Sequence, residues 1–126
     1  MLEHLNASPA LPARVVVAGA AGFVGAAIAQ RMEREGAPVL RLGRREIDFA
    51  SPQGADALAA LLQPGDAFVA VAARAPCKDA DMLVENMMIA RTMARALKAV
   101  RVAHVVNISS DAVYADNDPL IRSDSP

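Results

Sequence analysis

The sequence predicts an α/β fold, an open parallel sheet with helices on both faces. Short apolar runs of strand length occur at 15–18, 39–42, 67–73 and 102–108. Segments with helical periodicity alternate with these runs. Glycine-rich or polar turns follow the carboxyl end of each run, which is where open parallel sheets bind ligands.

Composition narrows the classes of protein. At 126 residues the chain is long enough for one domain with its own core, built from small aliphatic side chains because only 3% of residues are aromatic. A net charge of −1, with both signs interspersed, argues against nucleic acid and against an anionic membrane as partners. The single Cys77 excludes an internal disulfide and fits a reducing compartment, so a cytoplasmic location is expected.

Residues 1–13 are expected to form a loose N-terminal leader. They contain two prolines and lack the basic start and apolar centre of a signal peptide. No apolar run in the chain approaches the ~20 residues that span a bilayer. His4 and His104 have no second ligand at metal spacing, so no metal site is predicted.

The first strand, 15–18, leads into a glycine turn. Its three glycines are spaced three apart: Gly19, Gly22 and Gly25. Gly19 can adopt the backbone angles that leave the strand, Gly22 lets the main chain approach a ligand, and Gly25 lets the next helix pack closely. The unpaired N–H groups at the start of that helix favour a phosphate. A close-packed turn that binds nothing is the alternative.

The helix after the glycine turn has an apolar stripe of Val24, Ile28 and Met32, and Gly36 is its stop signal. Strand 39–42 follows. A strand, a helix and a strand within about thirty residues predict a right-handed parallel crossover.

Residues 46–49 are a candidate short strand, and a second helix is expected after them. Ser51 is its candidate N-cap, with Pro52 in the first turn. Its buried stripe is predicted to consist of Leu58, Leu61 and Leu62. Pro64-Gly65 ends this helix, and the run 67–73 is apolar enough for a strand covered on both faces.

The longest predicted helix is 79–99. Its apolar stripe, with Leu83, Met87, Ala90, Ala94 and Leu97, lies on one face. Acidic residues in its first turn and basic residues in its last turn suit the helix dipole. Residues 102–108 are predicted to form another buried strand, and the chain becomes polar from Ser109.

Five motifs in this order resemble the extended short-chain dehydrogenases/reductases, whose members include NAD(P)-dependent nucleotide-sugar epimerases and dehydratases. The motifs are Val17 to Gly25, Asp48-Phe49, Val71 to Ala73, Asn86, and Ile108 to Tyr114. The resemblance covers 14–126 and implies a Rossmann-type NAD(P)-binding domain that stops after about the fifth strand. It also implies hydride transfer on a small-molecule substrate such as a nucleotide-linked sugar.

The resemblance assigns cofactor contacts along the carboxyl edge of the sheet. The residues of the glycine turn that would bind the cofactor, chiefly along its pyrophosphate, are Gly19, Gly22, Phe23, Val24 and Gly25. Asp48 and Phe49 would hold the adenine; the alternative is an ordinary surface turn.

The same resemblance gives roles to the segment after the 67–73 strand. Ala72, Ala73 and Arg74 would line the cofactor and leave room for a ribose. Asn86 would lie near the cofactor, and a polar residue on a solvated helix face is the alternative.

The turn after the second strand bears on cofactor choice. NAD sites usually place an acid there for the ribose 2′-OH, whereas a 2′-phosphate needs a cation. Arg44 and Arg45 follow Gly43 at this place, so NADP is predicted in preference to NAD. A solvated pair of arginines without a ligand is the alternative.

The catalytic residues of the family are only partly present. Ser110 matches the Ser or Thr that bonds the reacting oxygen. Asp111 matches an aspartate of some dehydratases, but Ala112 stands where their glutamate follows, which argues against dehydration. The chain contains no Tyr-x-x-x-Lys, because Asp118 lies four residues after Tyr114.

Three hypotheses follow for function. The chain is the cofactor-binding part of an NAD(P)-dependent epimerase, dehydratase or reductase and is inactive alone, or it is a non-catalytic module that binds or senses NADP, or it is an inactive fragment. The family also makes the long helix 79–99 a candidate homodimer surface.

Overall fold

The computed structural model describes residue 8 and residues 10–110, in which three helices alternate with four strands. The elements are β1 (Arg14–Ala18), α1 (Phe23–Arg34), β2 (Val39–Leu42), α2 (Gly54–Leu61), β3 (Asp66–Ala70), α3 (Ala80–Ala99) and β4 (His104–Asn107). The strands form one parallel sheet in the order β2-β1-β3-β4. The predicted open parallel sheet is confirmed.

The two faces of the sheet carry different helices. Alternate residues of a strand point to opposite faces. Val15 packs with Ala29 of α1 on one face, whereas Val16 packs with Leu58 of α2 and Met93 of α3 on the other. Burial of an aliphatic side chain of this size contributes about 1.5–3 kcal/mol. Helices on both faces are therefore confirmed.

The order of the strands creates a switch point between β1 and β3. The chain moves from β1 to β2 on one side, then crosses back to β3 and continues to β4 on the other side. The connections that leave β1 and β3 therefore diverge over opposite faces and open a crevice at the carboxyl ends of these strands.

Residues 46–49 do not form the candidate short strand. The N–H groups of Glu46 and Ile47 both donate to the carbonyl of Gly43, at 3.2 and 3.0 Å, and close a turn instead. Ile47 and Phe49 are buried in the core, so their apolar side chains anchor the turn rather than pair with a neighbouring strand.

The predicted N-cap of the second helix is wrong. The Ser51 hydroxyl donates to the Asp48 carbonyl at 2.9 Å, and α2 begins at Gly54. A side chain at Gly54 would place its Cβ 2.6 Å from the Asp48 carbonyl oxygen and 3.1 Å from Thr92 Cγ2. The helix thus begins where the absence of a side chain lets it pack against this turn and α3.

The predicted start of α3 is confirmed, but most of its apolar stripe lies outside the face that packs in the core. Asp79 caps the helix by accepting a hydrogen bond from the Met82 N–H at 2.8 Å. Leu83 and Met87 of the predicted stripe are 56% and 66% exposed. The residues that are buried are Ile89, Thr92, Met93 and Ala96. Because the helix is apolar on two sides, the spacing alone could not choose between them.

The last strand is also less buried than predicted. All four residues of β4 are exposed. In the described part of the chain, β4 has one neighbouring strand, β3, with Val105 opposite Phe68.

None of the described helices has the length and hydropathy needed to cross a bilayer.

Candidate functional site

A cleft of about 830 Å³ opens at the carboxyl ends of β1, β2 and β3. Its walls come from the three connections that follow these strands and from the first half of α3. The volume falls within the range typical of small-molecule sites. This cleft therefore lies at the switch point, where the sequence predicted a ligand.

Two glycines of the turn after β1 are required by the protein itself. Gly19 has φ +98°, and a Cβ there would lie 2.7 Å from the backbone nitrogen of Ala72. A Cβ at Gly25 would collide with the carbonyl oxygen of Gly19. Gly19 thus lets β1 end against the β3 connection, and Gly25 lets α1 begin directly against the turn.

Gly22 has no such structural reason. It adopts extended backbone angles, φ −83° and ψ 167°, which any residue can adopt. Among the described residues, a Cβ there would meet one atom within 4 Å, the Gly19 carbonyl oxygen, at an ordinary 3.5 Å. Gly22 lines the cleft, so the missing side chain keeps this part of the cleft open.

Gly22 is also the N-cap of α1, and the helix start suits an anion. A glycine offers no side chain to cap the helix, and the first turn of α1 contains no acidic residue. The first N–H groups of a helix have no partner within it, and the helix dipole adds positive potential at the same end. The start of α1 therefore favours a phosphate in the cleft.

Phe23 and Val24 form the apolar lip beside this helix start. Both line the cleft, and Phe23 is 93% exposed. Val24 was predicted in the buried stripe of α1, but it is exposed in the cleft. Gly25 and Ala29 are buried in its place, because these small residues let the helix pack closely.

The turn from Gly43 to Ile47, which we call the arginine turn, forms the wall after β2. Arg44 and Arg45 line the cleft, and both are exposed. Among residues 10–110 neither guanidinium pairs with a carboxylate. The Glu46 carboxylate instead accepts a hydrogen bond from the Gly43 N–H at 2.8 Å. This wall therefore presents two cations that form no ion pair with the described residues.

Asp48 and Phe49 extend the same wall. Asp48 is exposed in the cleft, and its Oδ1 accepts a hydrogen bond from the Ala50 N–H at 3.0 Å. Phe49 is a buried core residue as well as a wall residue. The structure thus brings the predicted adenine-binding pair to the cleft, with Asp48 as the more accessible member.

The connection after β3 forms the opposite wall. Ala72 and Ala73 line the cleft, as expected of small residues that leave room for a ligand. Arg74 and Asn86 are not wall residues. Asn86 Oδ1 accepts from the Arg74 N–H at 2.6 Å, and its Nδ2 donates to the Arg74 carbonyl at 3.0 Å. Asn86 therefore ties this connection to α3.

The expected catalytic residue, Ser110, follows the adjacent strand, β4. Ser110 is exposed three residues beyond β4 and does not line the cleft. The Ile108 N–H donates to the Ala70 carbonyl at 3.0 Å, which continues the pairing of β4 with β3 toward Ser110. Asp111 and Tyr114 lie outside the described residues. The catalytic role of Ser110 stays a prediction.

Sequence reasoning missed two features. Glu85 lines the cleft and lies 3.4 Å from the Arg74 guanidinium.

At the other end of the sheet, Arg14 and Asp66 form a two-pronged ion pair at 2.8 and 2.7 Å. Each begins one of two neighbouring parallel strands, and the register places them side by side. Opposite charges at the starts of two apolar runs were the signal that could have found this pair.

The environment of Asp66 determines its charge. Burial by itself would raise the pKa of this carboxyl, whose side chain is 1% exposed. Hydrogen bonds from Arg14 and from the Gln63 N–H, together with the Arg14 charge, outweigh burial and hold the pKa below its ordinary value. Asp66 is therefore an ionised structural residue.

No group of three or more His, Cys, Asp or Glu side chains within the described ranges could hold a metal ion. His104 is exposed on β4.

Fold and cleft together define a Rossmann-type α/β domain. The sequence profile of the NAD dependent epimerase/dehydratase family matches residues 15–126, and the chain belongs to this family. None of the curated proteins matches the sequence significantly.

Solved structures of longer proteins share the fold. A GDP-D-glycero-L-gluco-heptose synthase from Campylobacter jejuni, crystallised in the presence of NADPH, is 21% identical with a TM-score of 0.69. A GDP-6-OMe-4-keto-L-xylo-heptose reductase from C. jejuni is 22% identical with a TM-score of 0.71. A GDP-mannoheptose C4 reductase from Campylobacter jejuni with NADP bound is also 22% identical, with a TM-score of 0.71.

The similarity covers 90% of this chain in each of these comparisons. It covers 36%, 34% and 36% of the three longer chains, respectively. The chain thus spans about a third of the length of these proteins.

Proposed function

We propose that this chain is the cofactor-binding part of an NADP-dependent reductase or epimerase of the extended short-chain type. In this proposal, 14–126 form the cofactor-binding unit and 1–13 are a leader. The observation that carries the proposal is Gly22, whose missing side chain leaves the cleft open at an uncapped helix start. A phosphate explains both features, because it needs the space and the N–H groups.

In the proposed binding mode, the groups of the dinucleotide lie along the walls of the cleft. The pyrophosphate would lie over Gly22 and the first turn of α1. The adenine would lie near Asp48, and Ala72 would leave room for the ribose. Arg44, which has no carboxylate partner in the described part of the chain, would bind a 2′-phosphate.

The proposed chemistry divides between the cofactor and the protein. A bound nicotinamide supplies the hydride, and Ser110 would hydrogen-bond the reacting oxygen of the substrate. The sequence contains no Tyr-x-x-x-Lys to move the proton. We therefore expect the 126-residue chain to bind NADPH without catalysing turnover.

The substrate and the subunit partner belong to the same proposal. The structural neighbours named above are enzymes of GDP-linked heptoses, which supports a nucleotide-linked sugar as substrate.

The apolar residues Leu83, Val84, Met87 and Met88 are exposed on α3. They support α3 as a candidate homodimer surface, because exposed apolar patches of this kind mark interaction sites.

A fluorescence titration with NADPH and with NADH tests the cofactor assignment. We expect the unaltered chain to prefer NADPH. Arg44→Asp should weaken NADPH binding by about tenfold or more, because a charged hydrogen bond to the 2′-phosphate is lost. The same change should leave NADH binding intact, since an acid at this place can bond the ribose 2′-OH.

Arg34→Asp is the matched control. Arg34 is exposed in the last turn of α1, away from the cleft, and the substitution changes the net charge by the same amount. It should leave both affinities unchanged. Equal affinities of the unaltered chain for NADPH and NADH would contradict the NADP assignment.

A further inference from the structure

We propose that Glu46 is a positioning residue that holds the arginine turn in the shape that selects a ribose 2′-phosphate. The inference rests on the proposed NADP-binding function and adds a residue to it. Glu46 would touch neither the phosphate nor the nicotinamide. It would act through the backbone of Gly43, which immediately precedes the two arginines.

The hydrogen bonds of the arginine turn are reciprocal. Glu46 Oε2 accepts from the Gly43 N–H at 2.8 Å. The Gly43 carbonyl in turn accepts from the N–H groups of Glu46 and Ile47, at 3.2 and 3.0 Å. Both backbone polar groups of Gly43 are therefore bound within the turn. A Glu or Gln that reaches back three residues to a backbone N–H also forms one half of the capping box at helix starts.

The arginine turn is also fixed against the glycine turn. The carbonyl of Leu42 accepts hydrogen bonds from the N–H groups of Gly19 and Ala20, at 2.8 and 3.1 Å. A Cβ at Gly43 would lie 3.2 Å from Ala21 Cβ and 3.2 Å from Glu46 Oε2. Gly43 is thus enclosed between the two turns. Its position sets where the arginines lie relative to the phosphate cradle at Gly22.

The charge of Glu46 predicts the direction in which substitutions there change NADPH affinity. Glu46 is the acid next in sequence to Arg45, yet its carboxylate binds the Gly43 N–H instead of a guanidinium. A carboxylate that could no longer reach Gly43 would be free to pair with an arginine and to compete with a phosphate. Loss of reach should therefore weaken NADPH binding, whereas loss of charge with reach kept should not.

Two substitutions separate reach from charge. Glu46→Gln keeps the length of the side chain and an acceptor oxygen but removes the charge. Glu46→Asp keeps the charge but shortens the side chain by one methylene. Glu33→Gln and Glu33→Asp are the matched controls, since Glu33 pairs with Arg41 on the exposed surface, at 2.9 and 2.7 Å.

The measurement is the ratio of the dissociation constants for NADH and NADPH, obtained by fluorescence titration of the whole chain. Glu46→Asp should weaken NADPH binding by roughly five- to tenfold, because the competent form of the turn becomes a minor population. NADH binding should stay unchanged. Glu46→Gln should bind NADPH as tightly as the unaltered chain or more tightly. The Glu33 variants should leave the ratio unchanged.

Each other outcome overturns a distinct statement. A purely electrostatic role of Glu46 would tighten NADPH binding in Glu46→Gln and leave Glu46→Asp unchanged, and this result would overturn the positioning role alone. Weakening of NADPH and NADH by the same factor in Glu46→Asp would show a merely structural role. Equal affinities in the unaltered chain would overturn the NADP assignment and this inference together. If Glu46→Asp does not fold, weaker NADPH binding in a folded Glu46→Gln still contradicts the inference.

Discussion

The two ends of the sheet use charge in opposite ways. At the amino end, Arg14 and Asp66 bind each other, and they also bind the Leu61 carbonyl and the Gln63 N–H. At the carboxyl end, Arg44 and Arg45 have no carboxylate partner among the described residues. Satisfied charges support the fold, whereas charges left without a partner beside an open cleft are available to a ligand.

The glycines of the carboxyl end show the same division. Gly19 and Gly25 are required by contacts within the protein, and Gly22 is not. Because Gly22 lies in the cleft wall and the fold does not require a glycine there, we attribute this glycine to ligand binding. The comparison therefore separates residues that should affect stability from residues that should affect binding.

The largest expected effect is at the amino end. Asp66→Ala leaves the Arg14 guanidinium without its carboxylate and should lower the free energy of unfolding by about 3 kcal/mol. Urea unfolding measures this loss. NADPH affinity of the folded variant should not change, because Asp66 lies at the opposite end of β3 from the cleft.

Glu35→Ala is the control for this prediction. Glu35 pairs with Arg31 at 2.6 Å, but both side chains are well exposed. Its loss should cost less than about 1 kcal/mol. Equal costs for the two substitutions would contradict a special role for the buried pair.

The next largest effect is at the carboxyl end. Gly22→Asp should raise the Kd for NADPH by about 100-fold, because a carboxylate would occupy the proposed phosphate position. Stability should hold or rise, since Asp is a favoured N-cap and the backbone angles at Gly22 suit any residue. Fluorescence titration and urea unfolding of the same variant measure both quantities.

Gly22→Asn separates charge from size in this experiment. Asn is also a favoured N-cap and nearly matches Asp in volume. It should weaken NADPH binding less than Asp does. A different result would contradict the distinction between Gly22 and the other two glycines. In that result, Gly22→Asp unfolds most of the molecules, and the molecules that stay folded still bind NADPH.

A smaller effect concerns pH. The pKa of Asp66 is lowered in the folded chain, so its contribution to stability is fully present above its ordinary pKa of 3.8 and is lost as pH falls through the lower folded value. The urea midpoint should therefore drop as the pH falls below about 4. Asp66→Asn should show a flatter drop. If the urea midpoint fell equally steeply with pH in Asp66→Asn and in the unaltered chain, Asp66 would not contribute to the loss of stability in acid.

The sequence was sufficient for the parts of the fold that rest on local signals. The alternation of apolar runs with helical segments predicted the sheet, and Gly36, with φ +85°, marks the predicted stop after α1. Asp79 caps α3 at its predicted start. Each of these features depends on a few neighbouring residues, so the sequence contains the whole signal.

Features that depend on distant contacts were not predicted. The buried face of α3 depends on where α2 packs, and both sides of α3 offered apolar residues. The exposed β4 depends on which strands lie beside it. At the site, the position of Asn86 depends on the backbone of Arg74, twelve residues earlier. Sequence placed Asn86 near the cleft, and only the fold shows that it binds the connection after β3.

In the proposed binding mode, the start of α1 binds the paired phosphates of a dinucleotide. The most direct measurement follows the backbone amide resonances of the chain by NMR during titration with NADPH. We expect large shifts for Phe23, Val24 and Gly25 and negligible shifts for Gln63 and Asp66 at the opposite end of the sheet. Unchanged resonances at Phe23 to Gly25 with saturating NADPH would contradict this binding mode.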